Sequence, residues 1–170
     1  MTAAAELRAM GERLARLEAR VAITELLARY GRALDEWNED DMRALIAADV
    51  VARHDAVAPP FTGVETLINV MRALRPKVQA VQHFITNAHV EPGPDGDHAV
   101  ARAFVFAVHD TGVAQGGKLL QAGGAYRMEV GRADNIVGWQ IRTIEVTETW
   151  LDPRLLTDLY TDSPMSQHGA

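Results

Sequence analysis

From Ala4 to Trp37 the chain consists of helix formers without proline, and Ile23, Leu26, Leu27, Tyr30, Leu34 and Trp37 recur at helical spacing. This predicts one long helix whose second half faces a core. A thinner stripe, Leu7, Met10, Leu14 and Leu17, makes residues 1–17 a helical extension that packs on its own domain or on a partner subunit. A short second helix is expected over Met42–Ala48, capped by Asp40. Val50–Val57 reads as a strand, ended by the breaker Ala58-Pro59-Pro60. Thr62-Gly63-Val64-Glu65 has the form of a capping box, which predicts a helix from Gly63 to Leu74, stopped by Pro76.

Beyond that proline the hydrophobic period changes to two. Strands are expected over Val78–Val90, Ala99–Asp110, Lys118–Gly131 and Val137–Thr149. The turn Pro92–Asp97, the glycine-rich loop Thr111–Gly117 and the turn Ala133-Asp134-Asn135 separate them. Pro153–Tyr160 suits a short terminal helix, and residues 161–170 a flexible tail. Helices followed by long antiparallel strands form the α+β pattern, here a single domain over residues 1–160.

Composition narrows the function. With 170 residues, 48% hydrophobic, the chain can bury one sizeable core. A formal charge of −6, with arginines interspersed among carboxylates, speaks against a nucleic-acid surface. The absence of cysteine rules out disulfides, a thiolate nucleophile and Cys-ligated metal. No apolar run is long enough for a membrane span and no signal-peptide core is seen, so a cytoplasmic location is expected. There is no helical His-x-x-x-His spacing, no phosphate-binding glycine loop and no nucleophile elbow. The expectation is therefore no metal and no cofactor. His54-Asp55 with His83 and His109 is the one conceivable ligand set.

Four positions could carry chemistry. His83 interrupts the apolar alternation of VQHFITN and shares its strand face, by parity, with Val81, Ile85, Asn87 and His89. His109 lies near the end of AFVFAVHD on a face of small alanines and Val105, which leaves room for a ligand. Asp35 closes the long helix on a line with Thr24, Ala28 and Gly31, a small-residue groove that lets a carboxylate approach a sheet. His54 lies late in the first strand. Any one of them alone is more simply a satisfied core or surface residue. Glu129, Glu145 and Glu148 are expected to face outward, and His89 and His98 to lie on the surface. Together, a carboxylate that fixes an imidazole tautomer and a second polar group opposite make a general acid–base site. Asp35 and His83 would form the base, and His109 or Tyr30 the acid or oxyanion partner. His54 and Asn87 would be polar wall contacts, and Phe61, Phe84, Val105 and Trp139 would shape the pocket.

The segments LEARVAITELLARYGRALDEW, PFTGVETLINVM, VQHFITN and VGWQIRTIEV resemble the SnoaL-like branch of the nuclear transport factor 2-like superfamily over roughly Leu17 to Trp150. Local likeness is to the scytalone dehydratases and hexachlorocyclohexane dehydrochlorinases. That resemblance implies a cone-shaped α+β barrel: a strongly curved, mainly antiparallel sheet wrapped round the long N-terminal helix. It also implies that Asp35 and His83 are the acid–base pair and that His109 is a second active-site histidine. His54 stands where the dehydratases carry a tyrosine. The implied activity is a cofactor-independent lyase or isomerase, dehydratase-like, acting on a small hydrophobic and cyclic molecule. A polyketide-type cyclase and a non-catalytic binding domain are the alternatives. The implied assembly is a homo-oligomer, most often a dimer, through the outer sheet face.

Overall fold

A computed structural model describes residues 2–54 and 58–160. Asp55, the end of the expected first strand, and the expected tail from residue 161 lie outside the described residues. Three α-helices precede the main run of strands: α1 Ala3–Asp35, α2 Glu39–Leu45 and α3 Val64–Leu74. The strands are β1 Ile46–His54, β2 Ala58–Thr62, β3 Ala80–Pro92, β4 His98–Asp110, β5 Leu119–Arg132 and β6 Trp139–Leu151. They form one sheet in the order β2-β1-β6-β5-β4-β3. Every neighbouring pair is antiparallel except β1 with β6. The sheet curls around α1 without closing, so the expected barrel is an open cone with β2 and β3 as its edges.

The core lies between α1 and the concave face. Ile23, Leu26, Leu27 and Tyr30 of α1 are buried together with Met128, Ile141, Ile144 and Val146 of the sheet. A second cluster joins Val70, Leu74 and Val78 to Leu120 and to Leu155 and Leu159, from a C-terminal π-helical turn over Leu155–Tyr160. Lys77 Nζ donates to the Leu159 carbonyl at 2.9 Å, tying that turn to the segment before β3.

Several local expectations are corrected. Asn38, not Asp40, caps α2, its side-chain oxygen accepting the Asp41 amide at 3.1 Å. That helix ends at Leu45, and β1 begins at Ile46 because Ile46 and Ala47 are already buried in the core. The segment Ala58–Thr62, expected as a break, is edge strand β2, a position where proline's missing N–H is tolerated. No capping box forms. Thr62 is committed to the ladder opposite Val51, and Gly63 takes the N-cap position with φ 91°, left-handed space suited to glycine. Glu65 instead accepts from Arg43 Nε at 2.6 Å.

Two bulges set which residues face the interior. In β3 the register shifts between Thr86 and His89, with Asn87 at φ 54°. In β6 it shifts where Val130 faces Ile141 and Glu129 faces Thr143, leaving Arg142 as an extra residue. The inward positions of β6 are thus Trp139 and Ile141 before the bulge, then Ile144 and Val146 after it.

Candidate active site

Asp35 is the last residue of α1, and β3 is an edge strand. An edge strand leaves backbone N–H groups without a ladder partner. Asp35 takes up one of them: the His83 amide donates to Asp35 Oδ1 at 2.9 Å and to Oδ2 at 3.1 Å. The same carboxylate lies 2.7 Å from His83 Nδ1. A carboxylate can only accept, so the hydrogen resides on Nδ1 and Nε2 is left to the cavity as a base. Gly31, one turn earlier, permits this approach, since a Cβ there would sit 3.2 Å from Ile85 Cδ1. The expected small-residue groove is therefore only one residue deep, because Thr24 and Ala28 are exposed. Asp35 and His83 side chains are 23% and 14% exposed, sheltered but reachable.

Two connected chambers open beside the pair. The larger, about 110 Å³, is walled by Tyr30, Phe61, Met71, Val81 and Tyr126 among others. The smaller, about 70 Å³, is walled by Val105, Ala107, Gly123, Gly124, Glu148 and Leu155 among others. His54, His83, His109, Tyr126, Val146 and Tyr160 belong to both. The walls are mostly carbon, with polar groups concentrated where the chambers meet, as in small-molecule sites generally.

His109 faces His83 edge-on, ring centroids 6.1 Å apart at 79°. Burial, reinforced by His83 nearby, pushes the His109 imidazole down to about 4, against donation to the Leu120 carbonyl and the attraction of Asp35. It is therefore neutral at physiological pH, and its buried Nδ1 makes no hydrogen bond among the described residues. Tyr30 is also buried, which drives its hydroxyl far up and keeps it protonated. The Tyr30 and Tyr126 hydroxyls are hydrogen-bonded to each other. Burial and the neighbouring Glu148 push Tyr160 up to about 12.

Of the pocket residues expected from sequence, Phe61 lines the larger chamber, Val105 the smaller, and His54 both. Three others do not reach the cavity. Phe84 has the opposite parity to His83 and lies on the outer face, stacked on Phe106 with centroids 5.7 Å apart. Asn87 is turned outward by the β3 bulge and borders an outer-face groove beside Arg102 and Phe104. Trp139 is fully buried in the main core, with the Arg132 guanidinium 4.3 Å above its ring. His89 and His98 are exposed beside Glu91 and Asp95 respectively.

Sequence reasoning overlooked Tyr126 and Tyr160 and placed Glu148 outside. Counting by twos from Trp139 sends Glu148 outward, but the extra residue in β6 reverses that parity. Glu148 points inward, 10% exposed, with Oε1 in direct contact with His54 Nδ1.

Comparison with known proteins agrees with this architecture. A SnoaL-like domain profile matches residues 15–145. The chain belongs to the SnoaL-like family. The fold is that of the nuclear transport factor 2-like superfamily. Kfla4162 from Kribbella flavida is 26% identical, with TM-score 0.71 over 81% of this chain and 95% of that one. A type 2 hexachlorocyclohexane dehydrochlorinase, LinA, is 19% identical, with TM-score 0.70 over 83% of this chain and 92% of its own. A scytalone dehydratase candidate from Novosphingobium aromaticivorans is 18% identical, with TM-score 0.72 over 92% of this chain and 97% of its own. No curated protein sequence matches significantly. This SnoaL-like chain thus shares its fold with a dehydrochlorinase and a dehydratase candidate. No described helix is long and apolar enough to cross a membrane.

Proposed function

We propose that this SnoaL-like protein is a cofactor-independent lyase that eliminates water or a similar group from a small, hydrophobic, cyclic carbonyl compound. The observation that carries the reading is the Asp35 carboxylate 2.7 Å from His83 Nδ1 in the wall of a mostly carbon-lined cavity. His83 Nε2 takes the proton from the carbon beside the carbonyl. Asp35 stabilises the imidazolium that results. The Tyr30 hydroxyl, kept protonated by burial, donates to the carbonyl oxygen as negative charge develops there. Neutral His109 packs against the base and shields it from water.

β-Hydroxycyclohexanone has the required functional groups and a size suited to the larger chamber. The wild type should convert it to cyclohexenone. His83→Ala and Asp35→Asn should each lose at least about 100-fold in kcat while keeping affinity for the unreactive ketone within a few-fold. Undiminished turnover in either variant would remove the pair from the mechanism. Binding without turnover by the wild type would make the domain a ligand carrier.

A further inference from the structure

An elimination needs an acid as well as a base. A hydroxyl departs from carbon with difficulty unless it is protonated as it leaves. His109 holds no proton to spare at neutral pH, and Tyr30 sits at the oxyanion position, hydrogen-bonded to Tyr126. The opposite wall supplies a second carboxylate–imidazole pair. His54 stands at the end of β1 and Glu148 near the end of β6, parallel neighbours in the sheet, and Glu148 Oε1 touches His54 Nδ1. Glu148 is inward only because the β6 bulge turns it, and its side chain is 10% exposed. A carboxylate this sheltered needs a donor beside it, and the His54 imidazole is the group it touches. Both residues border the same chamber as His83.

We propose that His54, oriented by Glu148, is the general acid that protonates the leaving group. This deepens the elimination reading above and rests on it. The electron pair of the C–H bond taken by His83 becomes the new C=C bond. The C–O bond breaks with its pair on oxygen, His54 gives that oxygen its proton, and water leaves. Solvent then returns a proton to His54 and removes one from His83. His54 is on this account a catalytic residue and Glu148 a positioning residue.

The test compares β-hydroxycyclohexanone with β-acetoxycyclohexanone, whose acetate departs as a stable anion without needing a proton. His54→Gln and the near-isosteric Glu148→Gln should lose at least about 30-fold on the hydroxy probe and under about threefold on the acetoxy probe. His83→Ala should lose both alike. Equal losses of His54→Gln on the two probes, or no loss on either, would overturn the acid assignment while leaving the base in place. A wild type inert toward both probes would refute the elimination reading itself, and the acid with it. Thermal melts of both variants separate loss of fold from loss of proton transfer.

An independent observation concerns α1. Leu7, Met10, Leu14, Leu17 and Val21 alternate at spacings of three and four, the seam of a two-stranded coiled coil, and all are exposed. Ile136 and Val137 wall an apolar groove beside Leu14, Leu17 and Val21. The flanking positions are Arg13, Glu18, Arg20 and Glu25. In a parallel, in-register pair Arg13 meets the second copy's Glu18, and Arg20 its Glu25. Antiparallel pairing instead sets arginine against arginine. We infer that a second copy of this chain docks its α1 along this seam, in parallel.

The chain lacks cysteine, so single thiols report the geometry cleanly. Met10→Cys, on the seam, should cross-link dimers on mild oxidation, and Glu12→Cys, on the outer face, should not. Leu14→Glu with Leu17→Glu should give a monomer by light scattering. A monomeric wild type or an uncross-linked Met10→Cys would overturn the seam. So would a dimer that survives those two changes and separates on Phe106→Glu, which would assign the interface to the outer sheet face.

Discussion

Acidification should destabilise this protein through His109 alone by a measurable amount. The imidazole titrates near 6.5 when exposed in the unfolded chain and is pushed to about 4 in the fold, chiefly by burial. Between those values the unfolded state binds a proton that the folded state refuses. The stabilisation is therefore complete above pH 6.5 and is lost as pH falls to about 4. At about 1.4 kcal/mol per pH unit, the loss is on the order of 3 kcal/mol. Urea unfolding of the wild type and His109→Gln at pH 7, 5.5 and 4 measures it. Carboxylates held down by partners, such as Asp152 beside Arg154, also lose stabilisation on acidification, but equally in both proteins. The stability gap between the two proteins should therefore move by about 3 kcal/mol in favour of the variant across that range. A gap that stays constant to within about 1 kcal/mol would refute the claim that His109 is buried neutral.

Other outcomes follow from single contacts. Gly124→Ala would place a Cβ 2.4 Å from the Thr147 carbonyl oxygen, with no flexible side chain able to yield. A thermal melt should show a loss of about 2–4 kcal/mol. Gly31→Ala meets only the end of Ile85, at 3.2 Å, and gains helix propensity, so its stability should stay within about 1 kcal/mol of wild type. Asp35→Ala strands the His83 amide, which should cost about 1–3 kcal/mol in urea unfolding. Tyr126→Phe removes the hydrogen bond with Tyr30 and should lower stability by about 1 kcal/mol in the same assay.

The parts of the molecule governed by one uninterrupted period were legible in the sequence. α1 follows its stripe from Ile23 to Leu34 and stops at Asp35, short of Trp37, and the four long strands β3–β6 follow their alternation up to their bulges. Asp35 and His83 could be matched because one ends the helix and the other sits before the β3 bulge, where parity still holds. Beyond a bulge, parity misleads. Simple alternation puts Asn87 inward and Glu148 outward, whereas Asn87 lies outward and Glu148 inward. β2 was hidden by its prolines, whose edge position follows from the sheet order rather than local preference. The capping box failed because Thr62 belongs to a strand pair formed through Val51, a non-local commitment that outweighs a local motif. Tyr126 and Tyr160 carry no local signal, since their role comes from the cavity that sheet curvature and the C-terminal turn create together.

Removal of a proton from carbon by His83 is the step on which the functional account depends, and it can be observed without any leaving group. Cyclohexanone incubated with the protein in D2O should take up deuterium beside the carbonyl faster than in buffer, followed by proton NMR. His83→Ala and Asp35→Asn should each lower the protein-dependent rate by about 100-fold or more. Deuterium uptake that is equal in the wild type and His83→Ala would contradict the account.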